Sequence, residues 1–240
     1  MHSLSRRLTA EAVGTALLLA AVVGSGIMAE RLAGGNVGLA LLANAIATGG
    51  ALVAIILAFG HISGAHLNPV VTLADAYRKG IGWRDVPPYI AAQVVGAVAG
   101  VAVANLMFGY PAFFVSHHVR HGGPVWLGEF IATFGLLAVI WGCSRTRHAA
   151  TPYAVAAYIV GAYWFTSSTS FANPAVTIAR SLSDTFAGIR PTDVAPFIIV
   201  QILGATAATV LFGWLDPVEH IAVQSEGESV ETARALRLQA

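Results

Sequence analysis

The chain has 240 residues, of which 13 are Lys or Arg and 12 are Asp or Glu, a charged share of 10% against roughly a quarter in an ordinary soluble domain. Hydrophobic residues make up 56%, mean hydropathy is +0.71 and the formal charge is +1, so lipid is the expected solvent and a basic face for nucleic acid is excluded. A single cysteine, Cys143, excludes an internal disulfide and a thiolate metal cluster.

Residues 12–29, 32–74, 86–119, 148–179 and 194–215 contain no Asp, Glu, Lys or Arg. At about 20 residues per crossing, these stretches and the region 126–144 supply six spanning helices, expected at 7–29, 37–60, 86–108, 124–144, 150–168 and 194–215. The first follows Arg6 and Arg7 as a signal peptide would, but it is long enough to span and is read as a retained helix. Segments 63–77 and 169–182 are too apolar for loops and too short to cross. Each carries an Asn-Pro pair, Asn68-Pro69-Val70-Val71-Thr72 and Asn173-Pro174-Ala175-Val176-Thr177. Asn caps helices well and Pro suits the first helical position, so each pair predicts the start of a short helix. Arg6, Arg7, Arg78, Lys79, Arg84, Arg145 and Arg147 fall on one side, against Arg31, Arg120, Arg180 and Arg190 on the other, which predicts cytoplasmic termini. The polar stretch 216–240, with Glu219, Glu226, Glu228, Glu231, Arg234 and Arg237, reads as a cytoplasmic tail too short for a domain.

The two Asn-Pro segments belong to a longer repeat. Glu11 and Glu129 sit in similar contexts on the first helix of each half, and Gln93-Val94-Val95-Gly96-Ala97 matches Gln201-Ile202-Leu203-Gly204-Ala205 on the third. Each half, about 5–108 and 122–215, therefore reads as helix, helix, half-helix, helix, forming one membrane unit over 1–215. With three crossings per half, the second copy must enter upside down. The fold class predicted is an all-α integral membrane protein with six transmembrane helices and two re-entrant half-helices in an inverted repeat. Gly96 with Gly100, and Gly204 with Ala208, have the small-residue spacing that admits close helix contact.

A half-helix that begins at mid-membrane leaves backbone N–H groups unpaired and places about half a positive charge there. Two such ends make a positively polarised constriction where Asn68 and Asn173 can cap their own helices and direct N–H donors at a passing oxygen. The carbonyls around 64–67 and 169–172 would supply acceptors that guide polar solutes.

Gly60-His61-Ile62-Ser63-Gly64-Ala65-His66-Leu67-Asn68-Pro69, together with Asn173-Pro174-Ala175 and the paired Glu and Gln elements, resembles the aquaporin (major intrinsic protein) family over about residues 5–215. The resemblance implies a homotetramer with one pore per subunit, lying in the bilayer and passing water or small neutral solutes without a cofactor. Most members carry Arg three residues after the second Asn, in a filter with one residue from the second helix, one from the fifth and one before that Asn. Here the arginine position is Val176, and the family's spacing assigns Thr48, Gly161 and Ser170, with Phe171 beside it, to the rest. The aromatic usual at the helix positions is missing from this set, so a wider, less selective pore is expected. The resemblance extends to a bacterial subgroup without the arginine that is linked to arsenic resistance, which implies an inner-membrane aquaglyceroporin passing arsenite and methylated arsenicals. Val70 stands where the first box usually has Ala, and its bulk is expected at the constriction. Arg180, four residues after Val176, can place positive charge at the outer mouth or be an ordinary solvated helix-end residue.

Glu11 and Glu129 are intramembrane carboxylates, which open a proton-pathway reading, but in this repeat they are expected to hold the loops leading to the half-helices. His66 can brace its loop or line the inner vestibule, and His61 is expected at a cytoplasmic gate or loop contact. His117, His118 and His121, with no acidic or Cys neighbour in sequence, read as a solvated outer loop, and no metal site is expected. An ion-coupled transporter would use the same kind of inverted repeat but needs a coupling-ion site. An intramembrane enzyme lacks support, since the chain has no Gly-x-Ser-x-Gly and no His-Glu-x-x-His.

Overall fold

The computed structural model describes residues 2–144 and 147–216. Arg145 and all but the first residue of the predicted polar tail lie outside the described residues. The described residues form α1 (Leu4–Leu32), α2 (Val37–Ser63), α3 (Pro69–Tyr77), α4 (Val86–Met107), α5 (Gly123–Ser144), α6 (Thr151–Phe165), α7 (Pro174–Arg180) and α8 (Pro191–Leu215). The six crossings are α1, α2, α4, α5, α6 and α8, and the half-helices are α3 and α7. All but α6 among the six are long and apolar enough to cross a membrane. The α6 helix has 15 residues and stops short of the expected end at 168, because Thr166 turns extended (φ −105°, ψ 140°).

In the first half α1 packs on α2 and α4; in the second α5 packs on α6 and α8, and α2 meets α6 across the halves. Each half-helix lies against the third helix of both halves, α3 on α4 and α8, α7 on α8 and α4. This is the inverted repeat realised as packing: neither half-helix is housed by its own half alone.

Close approach depends on the paired glycines. A Cβ on Gly96 would collide with the Ala12 carbonyl of α1, and one on Gly204 would meet the Phe130 carbonyl of α5. Gly50 of α2 has open space around its Cβ position. Gly96→Ala is therefore expected to lower thermal stability in detergent by about 1–3 kcal/mol from overpacking, whereas Gly50→Ala leaves it level or higher. Equal melting of the two variants would sink this account of the α1–α4 contact.

Candidate functional site

Asn68 and Asn173 start the half-helices in extended backbone conformation. The Asn68 Oδ1 accepts the Val70 N–H at 3.1 Å, and the Asn173 Oδ1 accepts those of Ala175 at 3.0 Å and Val176 at 3.3 Å, with Pro69 and Pro174 at the first helical position. Both carboxamides also reach across the repeat. Asn68 Nδ2 donates to the Ala172 carbonyl and Asn173 Nδ2 to the Leu67 carbonyl, each at 2.8 Å. The sequence gives no sign of this reciprocal clasp. It changes the role of two carbonyls expected to guide solutes, since those of Leu67 and Ala172 hold the opposite asparagine in place. One N–H of each carboxamide remains beyond the clasp, and both asparagines border the cavity described below.

The loops before the half-helices contain non-glycine residues in left-handed conformation: Ala65 and Leu67 in the first, Thr169, Ser170 and Ala172 in the second. Such residues cost about 1–3 kcal/mol each and persist only where surroundings enforce them. The two glutamates do so. Glu11 accepts from Ser63 Oγ (2.6 Å), His66 N (3.0 Å), Leu67 N (2.7 Å) and Gln93 Nε2 (2.8 Å). Glu129 accepts from Phe171 N (2.8 Å), Ala172 N (2.9 Å) and Gln201 Nε2 (2.7 Å). Both carboxylates are fully buried. Gln93 also donates to Thr72 Oγ1 and Gln201 to Thr177 Oγ1, each at 2.9 Å, and those hydroxyls donate to the carbonyls of Asn68 and Asn173.

A cavity of about 910 Å³ runs along this axis, from Asp75, Gly80, Ser144 and His148 at one end to Arg180 at the other. Thr48, Ser170, Phe171 and Val176 line it, as do Leu18, Val22, Val155 and Ile159. Gly161 does not border it. Its Cβ position points at Phe165, and Tyr163 lines the wall instead, its hydroxyl 3.3 Å from Thr48 Oγ1. An aromatic ring therefore borders the cavity beside Thr48. The Ser170 hydroxyl is buried without a hydrogen-bond partner. Val70 also departs from expectation: its side chain is buried towards a separate apolar groove with Ile202 and Ala205, and Val71 borders the cavity. Ala175 is fully buried.

At the opposite end from Arg180, His66 both braces and lines. Its Nδ1 lies 3.1 Å from Thr72 Oγ1 and its Nε2 3.5 Å from Asp75 Oδ2, while the residue borders the cavity. His61 is exposed at the end of α2, edge-on to His2.

Arg180 is not a solvated helix-end residue: it is 2% exposed, its Nε donates to the Ala187 carbonyl, and its guanidinium lies 3.4 Å from the Phe171 ring centroid. Residues 114–120 form a strap over this end, joined to the α7–α8 loop through Phe114 N to Leu182 O, Ser116 N to Ser181 O and Arg190 N to His118 O. His117 in the strap and His121 just beyond it have acidic partners that are distant in sequence. His117 Nδ1 is 2.9 Å from Asp184 Oδ2, and His121 Nδ1 is 3.4 Å from Asp193 Oδ1. The His117 backbone N–H, donating at 2.8 Å, leads the contacts that hold the Asp184 carboxyl below its usual range.

Two reversed halves, each with three crossings and a half-helix, meet at clasped asparagines beside a membrane-directed cavity, which defines a channel protein. The chain belongs to the major intrinsic protein family, whose pattern matches residues 1–172. The aquaglyceroporin AqpS of Rhizobium meliloti (strain 1021) is 50% identical, over 94% of this chain and 97% of that protein. Aquaporin NIP3-1 of Oryza sativa subsp. japonica is 32% identical, over 98% of this chain and 73% of that protein. The X-ray structure of the aquaglyceroporin from Plasmodium falciparum shares the fold with a TM-score of 0.65, covering 90% of this chain and 97% of that one at 20% identity.

Proposed function

We propose that this channel passes small neutral solutes through an arginine-less filter, and that its substrates are metalloid hydroxides such as arsenite and methylated arsenicals, with water and glycerol. The carrying observation is Val176, an aliphatic side chain on the cavity wall where most of the family has arginine. The filter set is Thr48, Tyr163, Ser170, Phe171 and Val176, with Tyr163 replacing Gly161. Arsenous acid is uncharged at neutral pH and resembles a compact polyol. The asparagine N–H groups left by the clasp offer such a solute donors. Similarity to a protein named an aquaglyceroporin supports the wider substrate class. The arginine-rich end bearing Arg78 and Arg84 faces the cytoplasm, with both termini there, in the inner membrane, and the subunits assemble as a homotetramer.

The Tyr163 ring favours a second reading, a water channel narrowed by that aromatic. Stopped-flow swelling of proteoliposomes with water, glycerol, arsenite and a methylated arsenical separates the two. Passage of the larger solutes well above empty liposomes is expected, and water passage alone would leave the narrower channel.

Tyr163→Phe and Gly161→Ala test the helix phase of the filter. Loss of the hydroxyl at Tyr163 is expected to change the glycerol-to-water ratio by about threefold, from the lost contact to Thr48. Gly161→Ala, whose added Cβ meets Phe165 at an ordinary 3.8 Å, should leave the ratio unchanged. The reverse pattern would return Gly161 to the filter.

A further inference from the structure

Next to the cavity end at Arg180, outside its lining but against the Phe171 ring, lies a second cation that the repeat does not predict. Arg120 comes from the strap, half-buried, and its guanidinium lies 4.8 Å from the centroid of the same Phe171 ring that carries Arg180. Its Nε donates to the Gly188 carbonyl at 2.8 Å, and its Nη1 to the Ser168 carbonyl at 3.2 Å and Thr169 Oγ1 at 3.4 Å. Phe171 and Arg180 both border the cavity.

Neither guanidinium has a carboxylate within salt-bridge distance among the described residues. Asp193 accepts the backbone N–H of Arg120, but its side chain pairs with Arg190 and His121. Glu129 is the one carboxylate whose charge reaches both, and it sits behind the loop it holds, so two guanidiniums against one carboxylate leave a net positive charge. The partners of the two arginines are carbonyls, a hydroxyl and one ring face, which satisfy donors without cancelling charge. Burial pulls Arg120 down to about 10, which leaves it charged at neutral pH.

We propose that Arg120 and Arg180, held on Phe171, form a two-arginine cation barrier at the channel mouth, so that a filter with valine at 176 still rejects cations. Net positive charge beside a low-dielectric passage repels a monovalent cation far more strongly than it would in water, and a neutral solute is unaffected. Arg120 makes this a composite device: the outer strap supplies one charge and α7 the other. The reading rests on the channel function proposed above and assigns its charge selectivity to residues outside the filter ring.

The test is a charge series at Arg120 in proteoliposomes, with sodium flux and glycerol swelling measured on the same preparations. Arg120→Met is expected to raise sodium permeability by about tenfold or more from the loss of one nearby unit charge, with glycerol swelling within about twofold of wild type. Arg120→Lys keeps the charge but cannot reproduce the forked contacts to Gly188, Ser168 and Thr169, so retained exclusion in this variant separates charge from bracing. Equal leak in the Lys and Met variants would make Arg120 a structural brace and overturn the barrier. So would sodium exclusion in Arg120→Met equal to wild type. Absence of swelling in the wild type overturns the channel reading itself, whereas normal swelling with an unchanged leak overturns the barrier alone.

Discussion

Val176→Arg is expected to cut glycerol and arsenite passage by about tenfold or more, equivalent to about 1.4 kcal/mol of added barrier, while water flow continues. Val176 is 5% exposed, borders the cavity, and sits in the first turn of α7 with its N–H on Asn173 Oδ1. Its side chain can therefore lengthen only into the passage or back along α7. Arg180 lies one turn further on and is already committed to Phe171 and the Ala187 carbonyl. A new guanidinium at 176 would face a like charge towards Arg180, and helical side chains lean towards the N-terminus, so it extends across the passage towards the Thr48–Tyr163 pair. A long side chain with five donors then occupies the space a three-oxygen solute needs, whereas water, with one oxygen, passes beside it. Stopped-flow swelling of matched proteoliposomes measures both rates. Unchanged glycerol passage in a well-folded variant would place the narrowest point elsewhere.

How far the sequence could be read depended on whether the signal was local or periodic. The Asn-Pro boxes, the two glutamates and the two glutamines were visible because each is a short match repeated in order, and the chemistry of a buried carboxylate predicts that loop N–H groups satisfy it. For Gly161 the local spacing carries no information on helix phase. Two residues along a helix turn it by about 200°, so Val155, Ile159 and Tyr163 share the cavity wall while Gly161 faces Phe165. Val70 is a second case of phase, since it faces the separate groove one position from the cavity-facing Val71. Arg120 carried no signal at all: it lies in an irregular loop, and its partners at 168, 169, 171 and 188 are set by the strap's path. The acidic partners of His117 and His121 were equally hidden, because Asp184 and Asp193 come from beyond α7. Arg180 showed only that a helix-end cation was present. Its burial follows from the α7–α8 loop folding back so that Ala187 meets its Nε.

The second large effect is expected at Glu129. Its carboxylate accepts from Phe171 N, Ala172 N and Gln201 Nε2, and every one of those groups is buried. An ionised carboxylate only accepts hydrogen bonds; an amide replaces one oxygen with a donor. In Glu129→Gln one face of the side chain must then oppose N–H groups that have no water to turn to. Leaving buried donors unsatisfied costs about 1–3 kcal/mol each, and more where a charge was the partner. That loss falls on a loop already holding Thr169, Ser170 and Ala172 in left-handed conformation. Once the loop relaxes, Ala172 no longer presents its carbonyl to Asn68, and the clasp between the halves opens from one side. Glu129→Gln is therefore expected to lower thermal stability by several kcal/mol and to abolish glycerol swelling even in the fraction that remains folded. Glu11→Gln should do the same through Leu67 and Asn173, since the first half carries the same bonds. Wild-type swelling by a folded Glu129→Gln protein would show that the loop holds its shape without the carboxylate, and that the asparagine clasp is sustained by helix packing alone.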